Sequence, residues 1–161
     1  MGYRTLPGTH PDKGAFFTRG TSRDEYAAYT ESPDAYQRNM ERLQLKWQTA
    51  RQLVPKAEIV GQGGSVGVLY FGTTSLPIPE ALDKLAVRGI SLDTCRVRAF
   101  PFGDEVEAFV TEHDLMFVVE QNRDGQMRTL LINELQTNPA KLIPILYFCL
   151  LYTSPSPRDA S

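Results

Sequence analysis

The sequence predicts an α/β fold over residues 66–148, an open, mostly parallel sheet with helices on both faces, on three observations. Apolar runs of strand length recur along this stretch. Segments with apolar residues three and four apart separate them, and Gly, Pro, Asn or Asp punctuates the junctions. Strands that alternate with helices of this size need crossovers, and right-handed crossovers make the strands parallel.

The elements follow in order. Gly2 to Glu31 is rich in Gly, Thr, Arg and Pro and sustains neither period, so it reads as an extended or irregular segment. A helix then starts cleanly, with Ser32 as N-cap, Pro33 suited to the first helical position and Asp34 complementing the positive end of the dipole. Tyr36, Met40, Leu43, Trp47, Ala50 and Leu53 line one face of this helix, which ends near Pro55; a core-facing stripe is the expectation. Lys56 to Ser65, with Gly61, Gln62, Gly63 and Gly64, reads as a flexible linker.

Val66 to Phe71 is continuously apolar, as a parallel strand buried on both faces requires. Ile78 to Arg88 reads as a helix with Pro79 near its start, turning Ala81, Leu82, Leu85 and Ala86 inward and closing at Gly89. Ser91 to Phe100 is the second strand. Asp104 is expected to cap a helix over Glu105 to His113, with Val106, Phe109 and Val110 inward. Leu115 to Glu120 is the third strand. Asp124 or its predecessors open a helix carrying Met127, Leu130, Leu131 and Leu135, and Leu142 to Phe148 begins a fourth strand.

Composition narrows the function only a little. With 42% apolar residues, 22% charged residues and a net charge of -2, the chain offers no electrostatic reason to bind nucleic acid or an anionic membrane. No apolar run approaches the roughly 20 residues of a membrane helix, and the polar start shows no signal peptide, so a cytoplasmic setting is expected. Cys95 and Cys149 form neither a disulfide framework nor a clustered metal set.

In open α/β sheets the loops leaving the carboxyl ends of strands form the binding edge. Those loops here are Gly72-Thr73-Thr74, Pro101-Phe102-Gly103 and Gln121-Asn122-Arg123-Asp124. None carries a dinucleotide or nucleotide phosphate signature, and Gly61 to Gly64 precedes its strand instead of following it. His10 and His113 lie far apart, with no visible metal or triad partner. Asp104, Glu105 and Glu107 are explained as a cap and solvated positions, not as a catalytic pair. The most informative stretch is Val118 to Met127. Glu120 and Asn122 can orient a loop by binding backbone donors, and Gly125 permits close approach of another chain; a well-built strand-to-helix turn explains the same residues equally.

Four segments together resemble a known family. YFGTT at Tyr70 to Thr74, EALDKLAVRGI at Glu80 to Ile90, RVRAFPF at Arg96 to Phe102 and VVEQNRDGQMRTLL at Val118 to Leu131 are similar to the transketolase-C-like domain of 2-oxoacid:ferredoxin oxidoreductase alpha subunits. YRTLPGTHPDKGAFFTRGTSRDEYAAYTE at Tyr3 to Glu31, with the helix RNMERLQLKW after it, resembles the connector to the preceding thiamine-binding domain in the 2-oxoglutarate branch. The resemblance covers nearly all of Gly2 to Phe148. It departs at Arg23 and Ala27, where many relatives carry a His and a Gly.

The resemblance implies oxidative decarboxylation of a 2-oxoacid with coenzyme A to an acyl-CoA. Electrons pass through thiamine diphosphate, with its magnesium, and an iron–sulfur cluster to ferredoxin. In such a complex these cofactors lie mainly on the beta subunit and on the alpha domain upstream, so this chain is expected to bind none of them and to hold no catalytic residue. Its implied role is support and assembly, with Gly72, Thr73, Thr74, Glu120, Asn122, Gly125 and Gln126 as candidates for contact with the beta subunit or the substrate approach. Pyruvate or branched-chain oxidoreductases, a lipoamide-using dehydrogenase and a non-catalytic α/β assembly module stay open as alternatives.

The expected organisation is a connector and helix over 1–58, a truncated α/β domain over 59–148 and a non-native tail over 149–161. Cys149 to Asp159 reads, over eleven consecutive residues, as the translation of a widely used transposon-type sequencing adapter. On that reading Cys149 carries no biology, the natural chain continues past Phe148 and Met1 need not be the true start.

Overall fold

The structure, a computed structural model, describes residues 6, 8–14, 20 and 22–147. It divides into two units, Met1–Thr49 and Ala50–Ser161. The tail from Cys149 to Asp159 lies outside the described residues.

In the first unit the described residues before the helix form turns and one isolated antiparallel bridge, Arg23 to Tyr29. Asp24 organises this turn. Its Oδ1 accepts from the backbone N–H groups of Tyr26 and Ala28, each at 2.9 Å, and its own N–H donates to the Ala28 carbonyl. Ala27 at the turn's tip takes the left-handed conformation, φ +67°. Helix α1 spans Pro33–Leu53, and the Ser32 carbonyl accepts the first helical bond from the Tyr36 N–H. The expected core stripe is not buried: Tyr36, Leu43, Trp47 and Leu53 are all exposed, and Ala35 is the residue the helix buries. Helical spacing says which face is apolar, but burial needs a second layer to cover it.

The second unit is a five-stranded sheet in the order β1-β3-β2-β4-β5. Its strands are β1 (Glu58–Val60), β2 (Val66–Phe71), β3 (Asp93–Val97), β4 (Leu115–Glu120) and β5 (Leu142–Leu146). Three α-helices alternate with the last four strands: α2 (Ile78–Ala86), α3 (Asp104–Glu112) and α4 (Gln126–Leu135). β2, β3, β4 and β5 pair in parallel, with Leu69 opposite Cys95 on one side and Val118 on the other. The mostly parallel α/β fold read from the sequence is therefore the one observed.

Several details differ. The expected linker contains β1, an antiparallel edge strand on β3, too short at three residues for periodicity to register. The second strand is Asp93–Val97 and not Ser91 to Phe100, because β3 pairs only where β2 lies beside it. Gly103 occupies the N-cap of α3, and Asp104 is its first helical residue, bonded to Arg51 at 2.8 Å. In α2, Ala81 and Ala86 are exposed, while Ile78 is buried and Leu82 and Leu85 are half-buried.

Strand residues point alternately to the two faces. Leu69, Cys95, Val97, Met116, Val118 and Leu142 therefore share one face, which packs against Val106, Phe109 and Val110 of α3 and Leu131 of α4. α2 contributes nothing to this cluster; as a right-handed crossover running the other way along the sheet, it lies on the opposite face. Burial pushes the Cys95 thiol up to about 12, with the Glu105 carboxylate adding to the shift.

Candidate functional site

β2 lies inside the sheet; the chain leaves it toward β3 on one side and later returns past it to β4 on the other. The loops after β2 and β4 thus diverge, which makes the carboxyl edge between them the topological switch point, where ligands of open α/β sheets bind. The candidate residues fall on it. Gly72, Thr73 and Thr74 form a short 3-10 turn immediately after β2. The Thr73 hydroxyl donates to Gln121 Oε1 at 3.2 Å, which ties this turn to the loop after β4. Thr74 is buried, and Gly72 and Thr73 are exposed.

Glu120 ends β4 on the same face as Met116 and Val118, so its side chain is carried beneath the start of α4 and is wholly buried. Its Oε2 accepts from the Met127 N–H and the Asn122 side-chain amide, both at 2.7 Å, and its Oε1 accepts from the Arg128 N–H at 2.9 Å. A carboxylate there satisfies helix-terminal donors and suits the dipole. Asn122 completes the turn, its Oδ1 accepting from the N–H groups of Asp124 at 3.1 Å and Gln126 at 3.3 Å. Gly125, the N-cap, has φ +62°, a conformation a side chain would strain. The Gln126 side chain is exposed. The loop-orienting bonds expected of Glu120 and Asn122 are thus present.

Beside this turn opens a cleft of about 290 Å³ whose walls include Phe71, Gly72, Val97, Phe100, Phe102 and Met127. Gly72 and Phe102 lie in loops read from the sequence as the binding edge, whereas Phe71, Val97, Phe100 and Met127 were not singled out as site residues. Aromatic residues in a strand-to-helix loop, as in RAFPF, are the one signal that pointed there. Arg98, paired with Glu58 at 3.4 Å, is the one charged residue in a wall otherwise apolar or backbone, and the nearest helix start is already filled by Glu120. The cleft therefore suits an apolar group better than an anion.

The opposite edge holds a polar cluster that the sequence did not reveal. Asp93 opens β3 on the α3 face, and its carboxylate accepts from three successive backbone N–H groups, those of Gln62, Gly63 and Gly64, at 2.8–3.0 Å. The supposed linker is a loop clasped on one side chain. The sequence places His113 at a helix end with no visible metal or triad partner. It is buried, with Nε2 3.2 Å from Asp93 and Nδ1 2.7 Å from the Phe109 carbonyl. Gly67, opposite Asp93 in the register, makes room for this: a Cβ there would stand 3.0 Å from the Phe109 ring and 3.1 Å from that of His113. The amide bonds, that of Gln62 foremost, hold the Asp93 carboxyl below its ordinary range against the opposing effect of burial.

Several other charged groups are paired. Glu107 binds Arg51 at 2.6 Å and Glu105 accepts from the Ala57 N–H at 2.9 Å, while His10 accepts from the N–H groups of Asp12 and Lys13. Among the described residues no group of three His, Cys, Asp or Glu is arranged to hold a metal ion, and no helix is long and apolar enough to cross a membrane.

No family model matches the chain. It is 34% identical over 118 residues to the alpha subunit of 2-oxoacid:ferredoxin oxidoreductase 2 from Aeropyrum pernix, a match covering 70% of this chain and 18% of that relative. The solved 2-oxoglutarate:ferredoxin oxidoreductase from Magnetococcus marinus, with 2-oxoglutarate, coenzyme A and succinyl-CoA bound, has the same fold over 87% of this chain and 24% of that one. The TM-score is 0.68 at 22% identity. The resemblance read from the residues is borne out, and the chain spans about a fifth of the curated relative's length.

Proposed function

We propose that this chain is part of the alpha subunit of a 2-oxoglutarate:ferredoxin oxidoreductase, working in the cytoplasm, in which it supports and helps assemble the catalytic complex. The whole enzyme oxidatively decarboxylates a 2-oxoacid with coenzyme A to an acyl-CoA and passes the electrons to ferredoxin. The observation that carries this reading is the 34% identity over 118 residues to an alpha subunit of that enzyme class. The 2-oxoglutarate type is favoured by the connector segment Thr18 to Glu31.

Thiamine diphosphate with magnesium supplies the decarboxylation chemistry and an iron–sulfur cluster the electron path in such a complex. The described residues of this chain do not fit either group. The start of α4, the natural diphosphate cradle at the switch point, is filled by the Glu120 carboxylate, and Cys95 is buried and far from the thiolate form. What the switch point offers is shape and firmness: a turn braced by Glu120 and Asn122, an exposed Gly72 where a neighbouring chain can approach, and an exposed Gln126; Gly125, expected to permit that approach, is buried instead. We assign this edge, Gly72 to Thr74 with Glu120 to Gln126, to contact with the beta subunit or the approach of the 2-oxoacid and coenzyme A.

The test is reconstitution. The full-length alpha subunit, alone and with its beta subunit, is assayed for reduction of an artificial acceptor with 2-oxoglutarate, pyruvate or a branched-chain 2-oxoacid. Activity that needs both subunits and prefers 2-oxoglutarate supports the reading. Activity with pyruvate alone removes the 2-oxoglutarate type, and none with any 2-oxoacid removes the enzyme. Asn122→Ala and Gln126→Ala in the complex are expected to weaken assembly or turnover, and unchanged association and kinetics would remove the assignment of this edge.

A further inference from the structure

On the side of the sheet away from α3 and α4, burial falls off steadily across the strands. Thr94, Val68, Phe117 and Ile143 form one cross-strand row there, from β3 through β2 and β4 to β5. Thr94 and Val68 are 4% and 6% exposed, Phe117 is half-buried, and Ile143 is 38% exposed. The next row ends the same way, with Val119 half-buried and Ile145 46% exposed. α2, the crossover from β2 to β3, belongs on this face by its handedness. On the other face of β5, Leu142 is wholly buried in the core, while Pro144 and Leu146 farther along the strand are exposed.

A parallel strand with one apolar face left in water is unusual, because parallel sheets occur with both faces covered. The bare patch has no charged side chain in its two rows on β4 and β5, unlike the surfaces of partners that associate and separate, which are about as polar as the rest of a protein. It has the composition of half a core. The chain also spans only 18% of its curated relative, so most of such a subunit lies outside it.

We infer that in the intact subunit an amphipathic helix of the same alpha polypeptide, outside this chain, packs on Phe117, Val119, Ile143 and Ile145 and closes the second layer over β4 and β5. This rests on the reading of the chain as part of an alpha subunit. Covering a parallel strand is a requirement of folding its own domain, which favours the same polypeptide over the beta subunit or a second copy.

Ile145→Cys provides the test, with Cys149→Ser added in this chain, where Cys95 is buried, and labelling at position 145 read by peptide mass spectrometry. The rate of maleimide labelling is measured in this chain, in the full-length alpha subunit and in that subunit with the beta subunit, with circular dichroism checking that each is folded. Ready labelling of this chain and labelling at least about 50-fold slower in the alpha subunit alone is the expected result, as for a site protected by stable local structure. Equal rates in the two would overturn the inference. So would protection that appears only with the beta subunit, or protection of this chain that is lost on dilution, which marks a second copy. The reconstituted activity tests the underlying reading separately, so a slow label without 2-oxoacid-dependent reduction rejects the enzyme and keeps the covering helix.

Discussion

Replacing Glu120 by Gln exchanges one carboxylate oxygen for an NH2 group at a buried site where every neighbour is a donor. Oε1 faces the Arg128 N–H and Oε2 faces the Met127 N–H and the Asn122 amide, so the new NH2 meets at least one N–H head on. The milder orientation forfeits the Arg128 bond, and a buried donor left unpaired costs about 1–3 kcal/mol. Loss of the negative charge at the start of α4 adds about 0.3–1 kcal/mol. The sum is about 1.5–4 kcal/mol, a large share of the roughly 5–15 kcal/mol that stabilises a typical domain. Urea unfolding followed by circular dichroism should show the midpoint falling with the slope unchanged. Glu120→Ala, which orphans all three donors, should cost more than Glu120→Gln. A Gln variant within about 0.5 kcal/mol of the parent, the usual range for an inconsequential surface change, would refute the assignment of Glu120 as the brace of α4.

Four further outcomes follow from the geometry. Asp93 has a depressed carboxyl pKa in the fold, so its stabilisation is present above the ordinary carboxylate value of about 3.9 and is lost as pH falls through the lower folded value. The amide resonances of Gln62, Gly63 and Gly64 should shift together in that acid window, and a response persisting in Asp93→Asn would reject the clasp. Gly67→Val, pressed against Phe109 and His113, is expected to destabilise by about 1–3 kcal/mol in thermal unfolding, and a neutral result would mean the two rings repack freely. Ala27→Gly removes a left-handed alanine and should stabilise the Asp24 turn by about 1 kcal/mol, read from its hydrogen exchange; no gain would mean the turn relaxes without strain. The Cys95 thiol, raised to about 12 and buried, should react with a thiol reagent only on unfolding in a Cys149→Ser background, and reaction in the native state would contradict its burial.

Much of the layering was readable because it follows from local patterns. The run Val66 to Phe71 and the helical spacing of Val106, Phe109 and Val110 report which faces shed water, and that is enough to order strands and helices. The turn from Glu120 to Gln126 was readable for the same reason, since its partners lie within eight residues of one another. The cluster of Asp93, His113 and the loop at Gln62 was not. Its members come from a loop, a strand start and a helix end that only pairing of β2 with β3, and packing of α3 across them, bring together. β1 was missed because three residues carry no period, and the exposed face of α1 because a stripe does not name what covers it.

The residues by themselves thus determined an alternating α/β unit, the edge where its loops gather and the enzyme class it resembles, since periodicity, turn chemistry and ordered motifs are properties of neighbours in the chain. The tertiary structure alone decided that Asp93 is committed to holding the fold and that Glu120 is wholly buried in doing so. Asp93 looks like an exposed-type acid in the sequence, yet it is buried against backbone donors supplied by a distant loop. Burial and hydrogen bonding between distant segments are set by strand register and helix packing, which no local pattern encodes.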